Sequence, residues 1–230
     1  DSLKSYPIKT RVRLWGERLM LRAFTTRIDK FVVQTPSMAE QVRGFLGEQT
    51  PVVVCPFVLA EVDQADVSAE KIYDFVYVAS AEPHKNHQKL IAAWCLLAEQ
   101  GLRPSLALTV PFDTALSFQI EELKRKWDLN VFNLGQLSSS EVCALYDQSS
   151  ALIYPSTTES LGLPLIEANA RQLPIIAAEL DYVRDIVEPV QTFDPSSRTS
   201  IARAVRRHLE SDEPAQLIHG PEVFLREVMQ

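Results

Sequence analysis

The sequence predicts an α/β chain, with a parallel sheet that carries helices on both of its faces. From residue 72 onward, short apolar runs alternate with longer segments of helical periodicity. The apolar runs lack the polar–apolar alternation of a strand with one solvated face, which indicates strands that are covered on both sides. Because strand and helix alternate with short links, neighbouring strands should be parallel and joined by right-handed crossovers.

Nine elements are predicted in this alternating region. The strands are 75–79, 105–110, 131–134, 151–154 and 174–177, and the helices are 86–100, 116–127, 139–148 and 163–171. Apolar side chains at Ile91, Trp94 and Ala98 recur at helical spacing in the first of these helices. Ser138 and Glu141, three residues apart, predict a capping box at the start of the third helix.

Residues 1–55 follow a different pattern. A basic helix is predicted over 8–27, then a strand at 31–34, a helix at 37–45 and a strand at 52–55, whereas 56–71 show no strong periodicity. Residues 1–30 hold eight basic and three acidic side chains, a net charge of +5. Since the whole chain has a net charge of −7, the remaining residues have a net charge of −12. Basic and aromatic side chains on one helix predict contact with an anionic membrane surface. The alternative is a helix that packs on another domain.

Composition and charge exclude several classes of function. The chain of 230 residues is 46% hydrophobic and 23% charged, as ordinary soluble proteins are. Its net charge of −7 argues against general nucleic-acid binding. No apolar run is long enough to span a membrane, and the first residues lack the form of a secretory signal. Three widely spaced cysteines in apolar segments predict free thiols in a reducing, cytoplasmic compartment.

The most informative stretch is 159–167, which reads Glu-Ser-Leu-Gly-Leu-Pro-Leu-Ile-Glu. Pro164 suits the first turn of a helix, so Glu159 is predicted on the loop after a strand and Glu167 on the helix that follows. Backbone N–H groups around Gly162 then point into the same cleft, and a helix N-terminus attracts anions. Ligands of open α/β sheets bind at the carboxyl ends of the strands. Two carboxylates for hydroxyl groups, beside a phosphate cradle, suit a sugar nucleotide.

This stretch resembles the E-x7-E signature of the retaining GT-B glycosyltransferases, in the large group-1 family. The resemblance runs from about residue 74 to about residue 208 and implies a Rossmann-like nucleotide-sugar-binding domain. It implies that Glu159 binds the donor sugar and that Glu167 binds the ribose hydroxyls. The positions between them that it implies in donor binding are Ser160, Leu161, Gly162 and Leu163. The alternative is a pair of glutamates that only caps and solvates a helix.

A second match is the loop 83–87, Pro-His-Lys-Asn-His, which resembles the lysine–asparagine loop of the family. The family's lysine binds the donor diphosphate, and Lys85 matches it. A fixed ammonium stabilises the negative charge that the leaving diphosphate gains in the transition state. The alternative for Lys85 is a solvated lysine at the start of a helix.

The chain departs from the family at two positions. The family usually has Gly-Arg before the lysine loop, where this chain has Ala79 and Ser80. Ser80 is still a candidate donor-binding residue, because its hydroxyl can donate a hydrogen bond, but it has no charge. The family usually has Gly at the end of the helix after E-x7-E, where Gln172 must use a different turn or bear strain.

The segment 131–135 resembles the base-binding edge of the family. Phe132 and Leu134 are candidates for the apolar wall of the base, or else they pack in the core. The segment does not distinguish uracil from guanine, so the expected donor is a UDP- or GDP-sugar, without a cofactor. His84 and His87 lack further ligands at suitable spacing, and the family generally needs no metal for catalysis, so no metal site is predicted.

The resemblance divides the chain into four parts. Residues 1–55 resemble the end of the family's N-terminal acceptor domain, 56–71 a linker, 72–212 the nucleotide-sugar-binding domain and 213–230 a C-terminal helix that crosses back. Since most of the acceptor domain has no counterpart in the sequence, we expect the chain alone to bind donor weakly and to transfer sugar slowly or not at all.

The implied function is that of a hexosyltransferase-type enzyme in polysaccharide or lipopolysaccharide assembly. It would use a nucleotide-sugar donor and a glycan or lipid-linked acceptor, with no nucleic acid. We expect it in the cytoplasm, in peripheral contact with the inner membrane face through the helix 8–27. The alternatives are a non-catalytic nucleotide-sugar-binding subunit and a GT-B sugar-nucleotide epimerase.

Overall fold

The computed structural model describes residues 8–56 and 69–210. The first range holds helix α1 (Ile8–Phe24), strand β1 (Phe31–Val33), helix α2 (Pro36–Leu46) and strand β2 (Val52–Val54), with a 3-10 turn at Thr25–Arg27. The predicted order of helix, strand, helix and strand is confirmed. The strands β1 and β2 pair in parallel. The helix predicted at 213–230 and most of the linker predicted at 56–71 lie outside the described residues.

The second range alternates strand and helix, as predicted. Its elements are β3 (Tyr73–Tyr77), α3 (His87–Glu99), β4 (Leu106–Leu108), α4 (Ala115–Trp127), β5 (Val131–Asn133), α5 (Ser139–Asp147), β6 (Ser149–Tyr154), α6 (Leu163–Ala170), β7 (Ile175–Ala178), α7 (Asp181–Arg184), β8 (Gln191–Phe193) and α8 (Arg198–Leu209). A 3-10 turn at Pro83–Lys85 precedes α3. The nine predicted elements are present, and their ends lie within about two residues of the prediction.

Within the described residues, the strands of the second range form one parallel sheet in the order β5-β4-β3-β6-β7-β8. The chain starts in the centre with β3, moves outward through β4 and β5, and returns to the other side of β3 with β6. Val76 therefore aligns with Ala107 on one side and with Leu152 on the other. Because the winding reverses between β3 and β6, the loops that follow these two strands leave a crevice at the carboxyl edge.

Burial on both faces explains why the strands show no alternation in the sequence. Successive residues Phe75, Val76 and Tyr77 are all fully buried, as are Leu106 and Leu108 in the neighbouring strand. Helix α3 packs against α8 on the sheet. The predicted fold class, a parallel sheet covered by helices, is confirmed.

Three elements of the second range were not predicted. Two of them, α7 and β8, are short and half or more polar, so they form no apolar run in the sequence. Helix α8 has a readable pattern, since Ile201, Ala204 and Val205 are buried at the i, i+3 and i+4 spacing of a core-facing stripe. Ser197 caps it by accepting a hydrogen bond from the backbone N–H of Ser200. The many arginines of α8 obscured this stripe.

The start of α5 and the end of α6 have the local structure that their sequences predict. Ser138 and Glu141 form the predicted capping box at the start of α5. After α6, Gln172 adopts a left-handed conformation with φ of +55°. In this left-handed conformation, a residue with a Cβ atom has a conformational energy about 1 kcal/mol or more above that of glycine. The structure therefore shows that Gln172 bears the strain expected where the family has glycine.

The N-terminal elements contact the sheet domain through α2. The carboxylate of Asp185, directly after α7, accepts a hydrogen bond of 2.8 Å from the backbone N–H of Ser37. A negative charge at this position also favours the N-terminal end of the α2 dipole. Helix α1 is held to α2 by Arg22, whose guanidinium donates to the carbonyl of Phe45 and lies 4.4 Å from the centre of its ring. No residue of α1 is buried against the described part of the chain.

Candidate functional site

The topology brings Lys85 and Glu159 together at the crevice between β3 and β6. Lys85 ends the 3-10 turn after β3, and Glu159 lies in the loop after β6. The Lys85 Nζ atom lies 2.8 Å from Oε1 and 2.9 Å from Oε2 of Glu159, so the ammonium donates to both carboxylate oxygens. The side chains are 18% and 9% exposed, which shields the ion pair from most of the solvent.

Tyr154 gives Glu159 a further hydrogen bond. It is the last residue of β6, is 1% exposed, and donates from its hydroxyl to Oε1 of Glu159 at 3.0 Å. Burial and, next, the charge of Glu159 raise the pKa of Tyr154 far above its ordinary value. The phenol therefore stays protonated and acts as a hydrogen-bond donor to the carboxylate.

Asn86 and Tyr77 fix the loop that presents Lys85. Asn86 has a left-handed backbone, with φ of 62°, which asparagine adopts more readily than most residues. Its side-chain amide donates to the carbonyls of Pro155 at 3.0 Å and Pro195 at 2.8 Å. The hydroxyl of Tyr77 donates to the carbonyl of Lys85 at 2.7 Å. Contacts with the loops after β6 and β8 therefore hold the position of Lys85.

Gly162 starts the helix that follows Glu159. Its φ of +75° favours glycine, and an added Cβ atom would lie 3.1 Å from a methyl group of Leu165. Pro164 stands in the first turn of α6, as predicted. Of the neighbouring predicted positions, Ser160 and Leu163 are exposed, whereas Leu161 is buried. The exposed positions and the start of α6 thus lie directly after the Glu159 carboxylate in the chain.

Glu167 lies one turn into α6 and is held by a different tyrosine. Tyr146, near the end of α5, donates from its hydroxyl to Oε2 of Glu167 at 2.9 Å. Tyr146 is buried, and its burial raises its pKa, with Glu167 adding to the effect. Each glutamate of the motif therefore accepts a hydrogen bond from a buried tyrosine that stays neutral.

Ser80 does not compensate for the missing arginine charge in this structure. Its hydroxyl donates to the carboxylate of Glu82, and this hydrogen bond is the main cause that lowers the pKa of Glu82. The position that carries a cation in the family is thus occupied here by a hydroxyl bound to an anion. Lys85 is the cation that the structure places against Glu159.

The two predicted base-wall residues take different places. Phe132 packs against the ring of Tyr73, at the amino end of β3, and Lys124 lies 5.3 Å from its ring centre. Because Lys85 follows the other end of β3, the structure does not bring Phe132 to Lys85 and Glu159. Leu134 is partly buried and packs against the core. Leu134 therefore packs as the alternative predicts, whereas Phe132 is 38% exposed and lies outside the core. A base-wall role for either side chain stays a prediction.

An exposed aromatic ring that the sequence analysis passed over lies at the carboxyl edge. Phe112 follows β4 and is 62% exposed. Gly135 follows β5 with φ of +74°, and an added Cβ atom would lie 2.4 Å from the Phe112 ring. The ring therefore lies directly over the Gly135 backbone, which is possible because this position has no side chain.

A cavity of about 560 Å³ opens beside the Lys85 loop, between the starts of α3 and α4. Its lining includes Glu82, Lys89, Gln119 and His87. His87 is 2% exposed, and its two ring nitrogens have no hydrogen-bond partner among the described residues. Over 8–56 and 69–210, no group of three or more acidic, histidine or cysteine side chains has the arrangement of a metal site.

Sequence comparison matches most of the chain to one protein family. The model of the family described as "Glycosyl transferases group 1" matches residues 60–219. This range contains the sheet domain, with both Lys85 and the two glutamates of the motif.

The curated relatives are larger proteins. Three of them carry the name "Serotype-specific mannosyltransferase WbdA" and come from Escherichia coli. One is 32% identical over 138 residues, which cover 59% of this chain and 17% of the relative. Another is 27% identical over 211 residues, which cover 81% of this chain and 26% of the relative. The "O-antigen chain mannosyltransferase RfbU" of Salmonella typhimurium is 28% identical over 118 residues, covering 51% of this chain and 33% of that protein.

Solved structures share the fold at low sequence identity. TarM has a TM-score of 0.71 and 16% identity, over 86% of this chain and 40% of TarM. Anabaena HepE, solved with UDP and glucose, has a TM-score of 0.66 and 17% identity, over 91% of this chain and 60% of HepE. Because the family model covers more than half of the sequence, this chain belongs to the group 1 glycosyl transferases.

Proposed function

We propose that this chain is the donor-binding part of a retaining hexosyltransferase. It transfers a sugar from a UDP- or GDP-sugar to a glycan or lipid-linked acceptor in polysaccharide or lipopolysaccharide assembly. The observation that carries the proposal is the contact of Lys85 with Glu159 at the crevice of the sheet. Relatives that are named as mannosyltransferases, two of them for O-antigen chains, support a hexose donor and a polysaccharide product.

Lys85 and the start of α6 bind the diphosphate in this proposal. The bond between the sugar C1 and the phosphate oxygen breaks, and the bond between C1 and the acceptor oxygen forms. The leaving phosphate gains negative charge, which the Lys85 ammonium and backbone N–H groups near Gly162 stabilise. The leaving phosphate itself takes the proton of the acceptor hydroxyl. We assign no step to a cofactor or a metal ion.

The two glutamates position the rest of the donor. Glu159 accepts a hydrogen bond from a hydroxyl of the donor sugar, and Glu167 accepts from the ribose hydroxyls. Tyr154 and Tyr146 orient these carboxylates, because each donates to one of them. The exposed ring of Phe112, over Gly135, offers the base a stacking surface at the carboxyl edge.

The ribose role of Glu167 can be tested without the acceptor. We expect the chain to bind UDP or GDP more tightly than the matching 2′-deoxynucleotide, because only the ribonucleotide satisfies the carboxylate. In Glu167→Gln this preference should fall from about tenfold to about twofold, since a neutral acceptor makes a weaker hydrogen bond. Calorimetric titration with UDP, GDP and their two 2′-deoxy forms measures this preference. Glu179→Gln, on an exposed ion pair with Arg184, is the matched control. An unchanged preference in Glu167→Gln would contradict the assignment.

A non-catalytic binding subunit is the second candidate, and the Ser80–Glu82 contact favours it. Where the family has a cation, Ser80 brings no charge and its hydroxyl is bound to Glu82, so the leaving diphosphate is stabilised less. Incubation of the chain with radiolabelled donor and a glycan acceptor, with and without a separately added candidate acceptor domain, separates the candidates. Label that is transferred once this domain is present supports the enzyme, and binding without transfer in both mixtures supports the subunit. A new sugar nucleotide formed without acceptor would identify an epimerase instead.

Contact with a membrane through α1 is part of the proposal. None of the described helices is both long and apolar enough to cross a bilayer. Helix α1 exposes Trp15, Leu19 and Met20 among basic side chains, a composition that favours an anionic surface. We expect the chain to sediment with vesicles of phosphatidylglycerol and not with phosphatidylcholine vesicles. Trp15→Glu should abolish sedimentation, and Phe118→Glu, an exposed aromatic on α4, should not. Equal sedimentation of all three proteins would refute the membrane role.

A further inference from the structure

We infer that the Lys85–Glu159 ion pair discriminates against a nucleoside diphosphate that carries no sugar, and that it thereby favours release of the diphosphate product. The inference rests on the proposed function, because it assigns Lys85 to the diphosphate and Glu159 to the donor sugar. It adds a specific role for their contact with each other.

The geometry makes Glu159 a competitor of any phosphate that binds Lys85. Both oxygens of Glu159 lie within 2.9 Å of the Lys85 ammonium. The carboxylate therefore takes up two of the three N–H donors of the ammonium. Since the two side chains are mostly buried, this attraction is weakened less by solvent than that of a surface ion pair. An incoming diphosphate has to displace Glu159 to gain these donors.

The displaced Glu159 carboxylate makes binding of the nucleotide-sugar donor more favourable than binding of the nucleoside diphosphate product. After a diphosphate takes Lys85, Tyr154, whose hydroxyl lies 3.0 Å from Oε1 of Glu159, is the described donor that can still reach the carboxylate. A mostly buried carboxylate next to a second anion is unfavourable, because like charges repel and the carboxylate has lost its ammonium donor. A sugar on the diphosphate supplies a hydroxyl that donates to Glu159. The nucleotide sugar thus supplies a new hydrogen-bond donor to the Glu159 carboxylate that its diphosphate displaces. The bare nucleotide displaces the carboxylate and supplies no donor.

The same contact accounts for product release. When the sugar leaves with the acceptor, Glu159 loses its hydroxyl partner while the diphosphate remains on Lys85. Return of Glu159 to Lys85 then displaces the diphosphate. Tyr154 keeps the carboxylate beside Lys85 through this exchange, so we regard Tyr154 as a positioning residue for Glu159.

Glu159→Gln provides the first test. Titration calorimetry with inorganic pyrophosphate, UDP and GDP, and with UDP-glucose and GDP-mannose, compares it with the parent chain. We expect pyrophosphate and the preferred nucleoside diphosphate to bind about tenfold more tightly to Glu159→Gln, a size typical of coupling between two sites. The preference for the nucleotide sugar over the bare nucleotide should fall. Glu82→Gln is the matched control, because it removes the same charge near the Lys85 loop without removing the partner of Lys85.

Tyr154→Phe tests the same mechanism, because it should change the affinity for the bare nucleotide in the opposite direction. Without the phenol, the displaced carboxylate has no remaining donor, so the bare nucleotide should bind about threefold more weakly than to the parent chain. In the Glu159→Gln background, Tyr154→Phe should change this affinity little. A double-mutant cycle isolates that coupling, and thermal unfolding shows whether each variant is folded. General damage to the fold would not reverse sign between neighbouring side chains.

The outcomes separate this inference from the proposed function. Tighter binding of bare diphosphates by Glu159→Gln alone supports the inference. Nucleotide binding to the parent chain with no tightening in Glu159→Gln, or equal tightening in Glu82→Gln, overturns it and leaves the proposed function standing. If folded parent and Glu159→Gln chains both bind no nucleotide, the proposed function fails, and the inference fails with it.

Discussion

Lys85→Ala should lower the affinity of the chain for its nucleoside diphosphate about 100-fold. The ammonium lies at the crevice, and loss of a hydrogen bond between charged groups costs up to about 3 kcal/mol. The substitution also leaves the Glu159 carboxylate mostly buried without its cation, which adds repulsion toward the diphosphate. Both effects act in the same direction. Titration calorimetry with UDP and GDP measures the change.

Lys89→Ala is the matched control for Lys85→Ala. Lys89 lies in the first turn of α3, is exposed, and lines the neighbouring cavity. Its removal takes away the same charge from the same region, so general electrostatic attraction predicts equal losses in the two variants. We expect less than a threefold change for Lys89→Ala, in line with the small contribution of solvated charges. Equal losses would show that Lys85 has no specific contact with the nucleotide.

Much of the sheet domain could be predicted because its signals are local. Buried strands read as short apolar runs, Pro164 marks the first turn of a helix, and the Ser138–Glu141 pair marks the start of another. The elements that escaped prediction lack such signals. Strand β8, Gln-Thr-Phe, has one apolar residue and so forms no apolar run, and α8 has a narrow apolar stripe between arginines. The reach of sequence analysis therefore ended where polar residues dominated an element.

The candidate site was predictable in its charged groups and not in its supports. Lys85, Glu159 and Glu167 stand in motifs, whereas their pairing depends on the sheet order that places β3 beside β6. Tyr154 and Tyr146 lie in the predicted strand 151–154 and the predicted helix 139–148, where no motif gives them a role. Their hydroxyls are the one signal that the sequence offers, because a buried tyrosine normally needs a hydrogen-bond partner, here a glutamate. Which carboxylate meets which tyrosine is a long-range property that no local pattern contains.

Acid should destabilise the chain through His87, which lies two residues after Lys85. Burial, and next the nearby charge of Lys85, lower the pKa of His87 to about 4, while Glu82 opposes the shift. Above pH 6.5 the imidazole is neutral in both the folded and the unfolded chain. As the pH falls from 6.5 to 4, the unfolded chain takes up a proton that the folded chain does not, so stability is lost. The loss should reach about 3 kcal/mol at pH 4 and level off below it.

His87→Leu isolates this effect from the carboxylates that titrate in the same range. Leucine has a similar volume, and it removes two buried nitrogens that have no partner among the described residues. The variant should therefore be at least as stable as the parent chain at pH 7. Urea unfolding at pH 7, 5.5 and 4 should show its advantage growing by about 3 kcal/mol. A constant difference across this range would mean that His87 is protonated in the folded protein as readily as in the unfolded chain. That outcome would contradict a buried imidazole whose nitrogens have no hydrogen-bond partner among the described residues.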